Sequence, residues 1–350
     1  MRSRLGGQNW LLAAFTVPIV FGVAAPNAQA QDSYQLGHGY DVGPFNFAGY
    51  SDVTANLPDE GRQSVSLDDL SLFVSGHITP WLNPFTEAEL TDLDFVHSGL
   101  TQGGKGGGSL VLERLYNDAD LGGGFTFRLG KMLAPVGEWN EIHAAPLVLS
   151  TVRPAVTYQN FSEYLTGATL LYSDASGSIP DIDLYWQPER EFSERPTSIT
   201  FDEYREVEGA HVKIPLSLLD QLGFSVQRSR DTLGVVQTLA GVDFQYKIDR
   251  VTFQGEWTYS DLSGQTSKLA RRREWGGYLS VSYALDDRWS LYGWYENFEK
   301  RSTTSSADDL LFGVAFRPDP AIVFKLEYLQ NIGGTPVNPT GLFASWSVLF

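Results

Sequence analysis

The histidines and a glycine-rich segment are the residues whose types could support metal binding or catalysis. The chain has five histidines: His38, His77, His97, His143 and His211. Their spacing is not typical of metal ligands, so we expect no metal site and no cofactor. Gly99, Gly104 and Lys105 have the spacing of a phosphate-binding loop, but Gly106 stands where that motif needs Ser or Thr. Neither a serine nucleophile elbow nor a paired-histidine zinc motif occurs, so we predict no catalytic residues and no enzyme activity.

Charged residues that alternate with apolar ones form a second candidate set, because fixed charges around a narrow polar space act strongly on ions. We expect both signs of charge on the polar faces of strands. These residues are Asp69, Glu87, Glu89, Arg128, Asp183, His211, Lys213, Asp243, Lys247, Glu256, Lys325 and Glu327. A long segment after Lys131 adds Glu138, Glu141, His143 and Arg153. What these charges can do depends on the elements that position them.

The composition limits the classes of protein to which the chain can belong. It has 350 residues, no cysteine and a formal net charge of −17, so we predict neither a disulfide scaffold nor a thiolate metal site. A chain this acidic does not hold a phosphate backbone by charge, which excludes nucleic acid as a partner. No apolar run after Gln31 reaches the roughly 20 residues that a membrane-spanning helix needs. The mean hydropathy of −0.17 also suits strands with one apolar and one polar face.

The first thirty residues have the pattern of an export signal. Arg2 and Arg4 give a basic start, residues 10–25 are mostly apolar, and Ala28-Gln29-Ala30 resembles a cleavage site. We therefore expect a signal peptide over residues 1–30, an N-terminal segment over 31–44 and a β-barrel over 45–350.

Apolar residues recur with a period of two along most of the chain. Thr238–Ile248 and Val251–Asp261 each place apolar residues on one face and polar residues on the other. Only Asp249 and Arg250 separate them, which predicts a tight hairpin. Counting every such segment gives about sixteen strands.

The connections between the strands alternate in length. Short ones include Asn117–Asp120, Asp249–Arg250 and Asp286–Asp287, whereas long ones include His97–Ser109 and Lys131–Leu165. Short turns at one end and long loops at the other are typical of transmembrane antiparallel barrels of the outer membrane. A soluble β-sandwich is the alternative, but it does not explain apolar faces repeated around the whole sheet.

Aromatic residues support the membrane interpretation in two ways. Several lie near strand ends, as in an interfacial girdle. They are Trp186, Tyr246, Trp257, Tyr259, Trp275, Trp289 and Tyr328. In addition, Phe350 ends the chain on the same strand face as Trp346 and Val348, which resembles the terminal signal that the barrel assembly machinery reads.

The segment after the strand Gly124–Lys131 resembles the G-K/R-x-x-x-P-x-G stretch of outer-membrane porins related to the phosphate-selective porin group. The matching residues are Gly130, Lys131, Pro135 and Gly137. In that family the stretch leads from a strand into a long third loop that folds into the lumen and narrows it. The resemblance implies a trimeric pore in the cell outer membrane of a Gram-negative bacterium. Phosphate selectivity there depends on a ladder of Arg and Lys, which this sequence lacks.

These expectations lead to a hypothesis about a pore constriction. Glu138 and Glu141 would face Arg128, Lys213 or Lys247 across the lumen, with His143 and Arg153 nearby. The alternative is that the loop acids only anchor the loop to the wall, and the sequence does not choose between the two.

We therefore expect an outer-membrane porin for passive diffusion of small hydrophilic solutes or ions, embedded among outer-membrane lipid and lipopolysaccharide. The alternative is a structural, adhesive or enzymatic barrel without an open channel.

Overall fold

The structure is a computed structural model that describes residues 34–98, 106–174, 176–192 and 203–350. The predicted signal peptide (1–30) and the phosphate-loop-like residues Gly99, Gly104 and Lys105 lie outside these ranges. Within the ranges, no helix is long and apolar enough to cross a membrane.

The fold consists almost entirely of strands. They are β1 (Tyr40–Val42), β2 (Phe45–Pro58), β3 (Ser64–Gly76), β4 (Asn83–His97), β5 (Gly107–Gly122), β6 (Phe125–Leu133), β7 (Tyr164–Tyr172), β8 (Asp181–Gln187), β9 (Tyr204–Pro215), β10 (Gln221–Asp231), β11 (Val235–Ile248), β12 (Val251–Gly264), β13 (Arg273–Ala284), β14 (Trp289–Glu299), β15 (Ser306–Asp319), β16 (Ile322–Gly334) and β17 (Gly341–Leu349). In the described part of the chain, short 3₁₀ helices cover Ala155–Thr157 and Thr266–Lys268.

The sixteen strands β2–β17 form a closed antiparallel barrel. Each pairs with the next in sequence, and β17 closes the ring on β2. β1 pairs with the first residues of β2. The last residue joins this closure, because Phe350 N–H donates to Gly49 O at 2.9 Å and Gly49 N–H donates to Phe350 O at 2.8 Å. The predicted antiparallel barrel of about sixteen strands is confirmed.

Period-two alternation separates the two faces of the wall, because successive side chains of a strand point to opposite sides. On β16, Phe324, Leu326 and Tyr328 are exposed, whereas Lys325 and Glu327 between them are buried. The same alternation along β10 buries Ser225, Gln227 and Ser229. Exposed apolar residues thus cover one surface of the barrel, and polar residues line the other.

One of the predicted turns is wrong. Asn117–Asp120 belongs to β5, where Asn117 pairs with Leu129 of β6. The turn lies beyond them, at Gly123 and Gly124, whose φ angles of 63° and 86° fall in the left-handed region that glycine adopts without strain. The polar run Asn117–Asp120 looked like a turn, but the glycines after it determine where the chain reverses.

Aromatic side chains form a row on the exposed surface of four adjacent strands. Trp289, Phe316, Phe324 and Trp346 are direct neighbours across β14–β17. Their ring centroids are 4.5 Å, 6.3 Å and 6.3 Å apart along the row, and all three pairs are stacked. Cross-strand aromatic pairs stabilise a sheet by about 0.2–1 kcal/mol each. The row therefore stabilises the barrel wall at the end where the chain turns from β13 into β14.

Candidate functional site

The connection between β6 and β7, residues 134–163, carries most of the predicted constriction residues; we call it the β6–β7 segment. Glutamates on three alternate strands accept hydrogen bonds from its backbone. Glu256 of β12 accepts from Trp139 N–H at 2.8 Å. Glu296 of β14 accepts from Ala155 and Val156 N–H at 2.9 and 2.8 Å. These carboxylates satisfy amides that irregular backbone would otherwise leave unpaired.

Glu327 of β16 completes this set of carboxylates. Its oxygens accept from Thr151 N–H at 3.1 Å, from Val152 N–H at 2.6 Å and from the Tyr292 hydroxyl at 2.7 Å. Hydrogen bonds to charged groups contribute about 1.5–3 kcal/mol each. The three glutamates therefore hold the β6–β7 segment firmly against the wall.

Cations and hydroxyls of the wall bind the carbonyls and side chains of the same segment. Lys325 Nζ donates to Ala145 O at 2.8 Å, and Arg317 donates to Pro146 O at 2.8 Å. The Thr151 hydroxyl donates to Ser345 Oγ of β17 at 2.8 Å. Together with the bonds to the glutamates, these contacts join the segment to β12 and to each strand from β14 to β17.

Apolar packing reinforces these polar contacts. Trp139, Val152, Ala155 and Val156 of the segment join one buried cluster with residues of β13–β17. The wall members include Tyr278, Tyr292, Trp294, Phe298, Leu311 and Phe343. The buried face of these strands is therefore partly apolar where the segment covers it.

The predicted pair of loop acids meets one of its three proposed partners. Glu138 lies 3.1 Å from Lys213 Nζ, and Glu141 lies 3.9 Å from the same atom. Glu141 is also 4.0 Å from His211 Nδ1. Burial raises the pKa of Glu141 to about 7, although Lys213 and His211 oppose this shift. These ion pairs join the segment to β9.

The other two candidate cations have different surroundings, although Arg128 is close enough to Glu141 for the two charges to interact. Arg128 makes a two-pronged bond with Asp118 of the neighbouring strand, both contacts being 2.8 Å. Lys247 is exposed near the end of β11, next to the Asp249–Arg250 turn. Of the three candidate cations, Lys213 is therefore the one that forms ion pairs with the two loop acids.

Arg153 and His143 brace the segment internally. Arg153 donates to Glu163 at 2.8 Å, to Asn140 Oδ1 at 2.9 Å and to Thr157 O at 2.7 Å. His143 Nδ1 is 2.9 Å from Asn140 O. Arg153 thus joins the start and the end of the segment.

A set of carboxylates, half of them predicted from the sequence, faces the segment from β2–β4; we call Asp52, Asp68, Asp69 and Glu89 the acidic wall. Together with His143 and Arg153 they line a cavity of about 210 Å³. Only Asp69 and Glu89 were expected on a polar face. Asp68 joins Asp69 because the β2–β3 register shifts there: Asp52 pairs with Asp69, and Val53 pairs with Leu67. A bulge of this kind re-aims a side chain.

A second cavity, of about 340 Å³, has a different lining. Its hydroxyl and amide groups belong to Gln245, Thr252, Gln254, Ser280, Ser282 and Ser290, and Glu138 and Arg317 also line it. Trp139 and Val148 line both cavities. The β6–β7 segment therefore has an acidic space on one side and a largely uncharged polar space on the other.

Comparisons with known proteins agree with this architecture. No family model matches the chain. An uncharacterized protein of Aquifex aeolicus is 24% identical over 356 residues, which is 86% of this chain and 78% of that protein. Its description adds nothing about function.

The comparison with solved structures is more informative about the fold. OmpF of Salmonella typhi, solved with daunomycin, is 12% identical with a TM-score of 0.65, covering 91% of this chain and 99% of that one. An anion-selective porin of Comamonas acidovorans is 11% identical with a TM-score of 0.62, covering 87% and 98%. The trimer form of OmpT, an outer-membrane protein of Vibrio cholerae, is 13% identical with a TM-score of 0.60, covering 89% and 100%. The chain therefore has a porin-like fold.

Proposed function

We propose that this protein is an outer-membrane porin, a water-filled channel for passive diffusion of small hydrophilic solutes or ions. One observation supports this proposal above all. The closed barrel has an apolar exposed surface and a polar buried surface, and side chains from many strands hold the β6–β7 segment against the buried surface. The exposed apolar surface matches the hydrocarbon of a bilayer, and a closed ring leaves no unpaired edge in it.

The proposal places the β6–β7 segment inside the lumen. Its anchors Glu256, Glu296, Glu327 and Lys325 are all buried, and on β16 they alternate with exposed apolar residues. A segment bound to the buried faces of β12–β17 fits within the ring. It would narrow the passage and direct solutes along the acidic wall.

The proposal also covers processing and assembly. It includes removal of residues 1–30, a short N-terminal segment over 31–44, a barrel over 45–350 and recognition of Phe350 by the barrel assembly machinery. A homotrimer is part of it, supported by the trimer form of OmpT.

Membership of the phosphate-selective group is a narrower proposal, and the two matching glycines have clear structural roles. Gly137 has a φ of 70°, and a Cβ there would lie 2.0 Å from Glu256 Oε2. Gly130 has a φ of 140°, and a Cβ would lie 2.2 Å from Leu115 O. Gly130 therefore allows β6 to lie close to β5, and Gly137 allows the segment after β6 to lie close to Glu256.

We further propose that the channel favours cations. The acidic wall contributes four carboxylates to its cavity, whereas Arg153 on the opposite side is bound to Glu163. Arg128 and Lys213 are likewise paired with acids. Negative charge beside a narrow passage raises the local concentration of cations.

Single-channel recording of the purified, folded protein in a planar lipid bilayer tests the proposal. We expect stepwise conductance and, in a KCl gradient, a reversal potential of the sign produced by cation preference. Steps of the opposite selectivity would contradict only the cation assignment. Membrane insertion without conductance would contradict the porin function and favour a structural, adhesive or enzymatic barrel.

A cysteine cross-link tests the position of the β6–β7 segment, and the chain has no native cysteine to interfere. The variant Thr151→Cys/Ser345→Cys replaces two hydroxyls 2.8 Å apart. That proximity is compatible with the Cβ separation of about 3.5–4.5 Å that a disulfide needs. We expect rapid oxidation, seen as a mobility shift that reductant reverses. The control pair Thr151→Cys/Ser229→Cys, with its second cysteine on β10, should not close. Equal oxidation of both pairs would place the segment elsewhere.

A further inference from the structure

Three potential metal ligands from distant parts of the sequence converge beside the β6–β7 segment. Glu141 of the segment, Asp183 of β8 and His211 of β9 place one ligand atom each within 4.8 Å of one another. Asp183 and His211 are direct cross-strand partners. Spacing along the chain could not reveal this cluster, because only the pairing of β8 with β9 and the return of the segment bring its members together.

The hydrogen bonding of His211 determines which of its nitrogens is free. Nε2 lies 3.3 Å from Asp243 Oδ2. A carboxylate oxygen accepts, so Nε2 carries the proton and a neutral ring keeps its lone pair on Nδ1. A metal-binding histidine commonly donates its second nitrogen to a carboxylate in this way, which fixes the ring and raises its basicity.

Gly223 makes room for this arrangement. It lies on β10, between Lys213 of β9 and Asp243 of β11. A Cβ at Gly223 would lie 2.2 Å from Asp243 Oδ1, so only glycine leaves space for Asp243 to occupy. The carboxylate thereby reaches across β10 to His211.

The surroundings of His211 Nδ1 are a second, independent indication that the site binds a ligand. His211 is 1% exposed, and within the described part of the chain its Nδ1 has no hydrogen-bond partner. Glu141 Oε2, at 4.0 Å, is too far for a hydrogen bond but close enough to share a metal ion. A buried polar atom without a partner destabilises the folded state, and a bound cation would provide the missing partner.

We propose that Glu141, Asp183 and His211 form a binding site for a divalent transition-metal ion such as Zn²⁺. One imidazole and two carboxylates suit such an ion better than Mg²⁺, which prefers oxygen ligands alone. Tetrahedral ligands about 2.0–2.2 Å from zinc lie roughly 3.3 Å apart, so ligand atoms now within 4.8 Å of one another must converge by up to about 1.5 Å. Glu141 provides this movement because its side chain is 31% exposed. The fourth position is left for water.

Lys213 is the main opposing charge. Its Nζ is 3.9 Å from Glu141 but 3.1 Å from Glu138. Glu138 therefore keeps the ammonium paired when Glu141 turns to the metal. The competing arrangement is an imidazolium of His211 shared by Asp243 and Glu141, which would bind no metal.

Calorimetric titration of the folded protein in detergent with ZnCl₂ tests the site without relying on channel activity. We expect one Zn²⁺ per chain, and excess Mg²⁺ should not displace it. The variants His211→Gln and Asp183→Asn should each weaken binding more than 100-fold, because each removes a ligand. Asp243→Asn should weaken it 10–100-fold, the usual effect of losing such an orienting carboxylate.

The matched control is His77→Gln, which removes an exposed histidine in the β3–β4 connection and should leave Zn²⁺ affinity unchanged. Absence of Zn²⁺ binding by the unsubstituted protein would overturn the proposal, as would unchanged affinity in both His211→Gln and Asp183→Asn. Block of single-channel current by Zn²⁺ is a further expectation that rests on the proposed porin function. Binding without block would overturn only that expectation.

Discussion

Neutralising three carboxylates of the acidic wall, in the variant Asp52→Asn/Asp68→Asn/Asp69→Asn, is expected to lower the cation-to-anion permeability ratio about tenfold. Two unit charges roughly 8 Å apart interact by about 2 kcal/mol at an effective dielectric constant of 20, and salt reduces this further. About 1.4 kcal/mol corresponds to a factor of ten. Because the three aspartates line one cavity, their effects on a passing ion are not additive, and we expect a combined change close to that of one screened charge. Reversal potentials in a KCl gradient measure the change.

A control variant with the same change in net charge separates the local effect from that of overall charge. Glu206→Gln/Glu208→Gln/Asp261→Asn removes three exposed acids that pair with exposed arginines. Exposed pairs contribute about 0–1 kcal/mol, so folding should be preserved. Selectivity should stay near that of the unsubstituted protein. An equal loss of selectivity in both variants would show that the acidic wall does not line the ion path.

The barrel could be predicted from the sequence because its pattern is local. Alternation places every second residue on the same face whatever the strand pairs with, so each strand is visible by itself. The hairpin around Asp249 and Arg250 illustrates this: Ile248 pairs with Val251, as the two-residue turn requires. Short connections then fix the order of neighbours, and an even number of strands closes the ring.

The candidate site could be predicted only in part, because it depends on departures from that alternation. Asp68 was missed because strict alternation assigns neighbouring residues to opposite faces, and the register shift beside it is a tertiary feature. Trp294 and Phe298 are apolar yet buried, because the β6–β7 segment covers them. A strand with apolar residues on both faces, such as β14, was the available signal that something packs against its inner surface.

The sequence could not choose between Lys213 and Lys247 as partners of the loop acids for a related reason. Both lie on the polar faces of their strands, which the sequence shows. Their positions along the barrel axis depend on the stagger between strands, which the sequence does not show. Lys213 lies beside Glu138, whereas Lys247 is two residues from a turn.

Substitution of the glutamates that anchor the β6–β7 segment is expected to have a second large effect. In the variant Glu296→Gln/Glu327→Gln we expect the free energy of unfolding to fall by about 3–6 kcal/mol and the single-channel current to become larger and noisier. Each carboxylate accepts on both oxygens, whereas an amide offers one acceptor oxygen and turns an NH₂ group toward the second N–H donor. At least one charge-assisted bond of about 1.5–3 kcal/mol is lost at each site. Denaturant titration and bilayer recording measure the two effects.

Two further variants separate loosening of the segment from general damage to the barrel. Glu189→Gln removes an exposed partner of Arg205 and should change neither stability nor current. Adding Thr151→Cys/Ser345→Cys to the double variant should, once oxidised, return the current toward its normal size and noise, because the disulfide replaces the lost bonds next to Glu327. Reduction should restore the larger current. If the oxidised and reduced forms conduct alike, the β6–β7 segment does not control the width of the passage, even where the glutamates stabilise the fold.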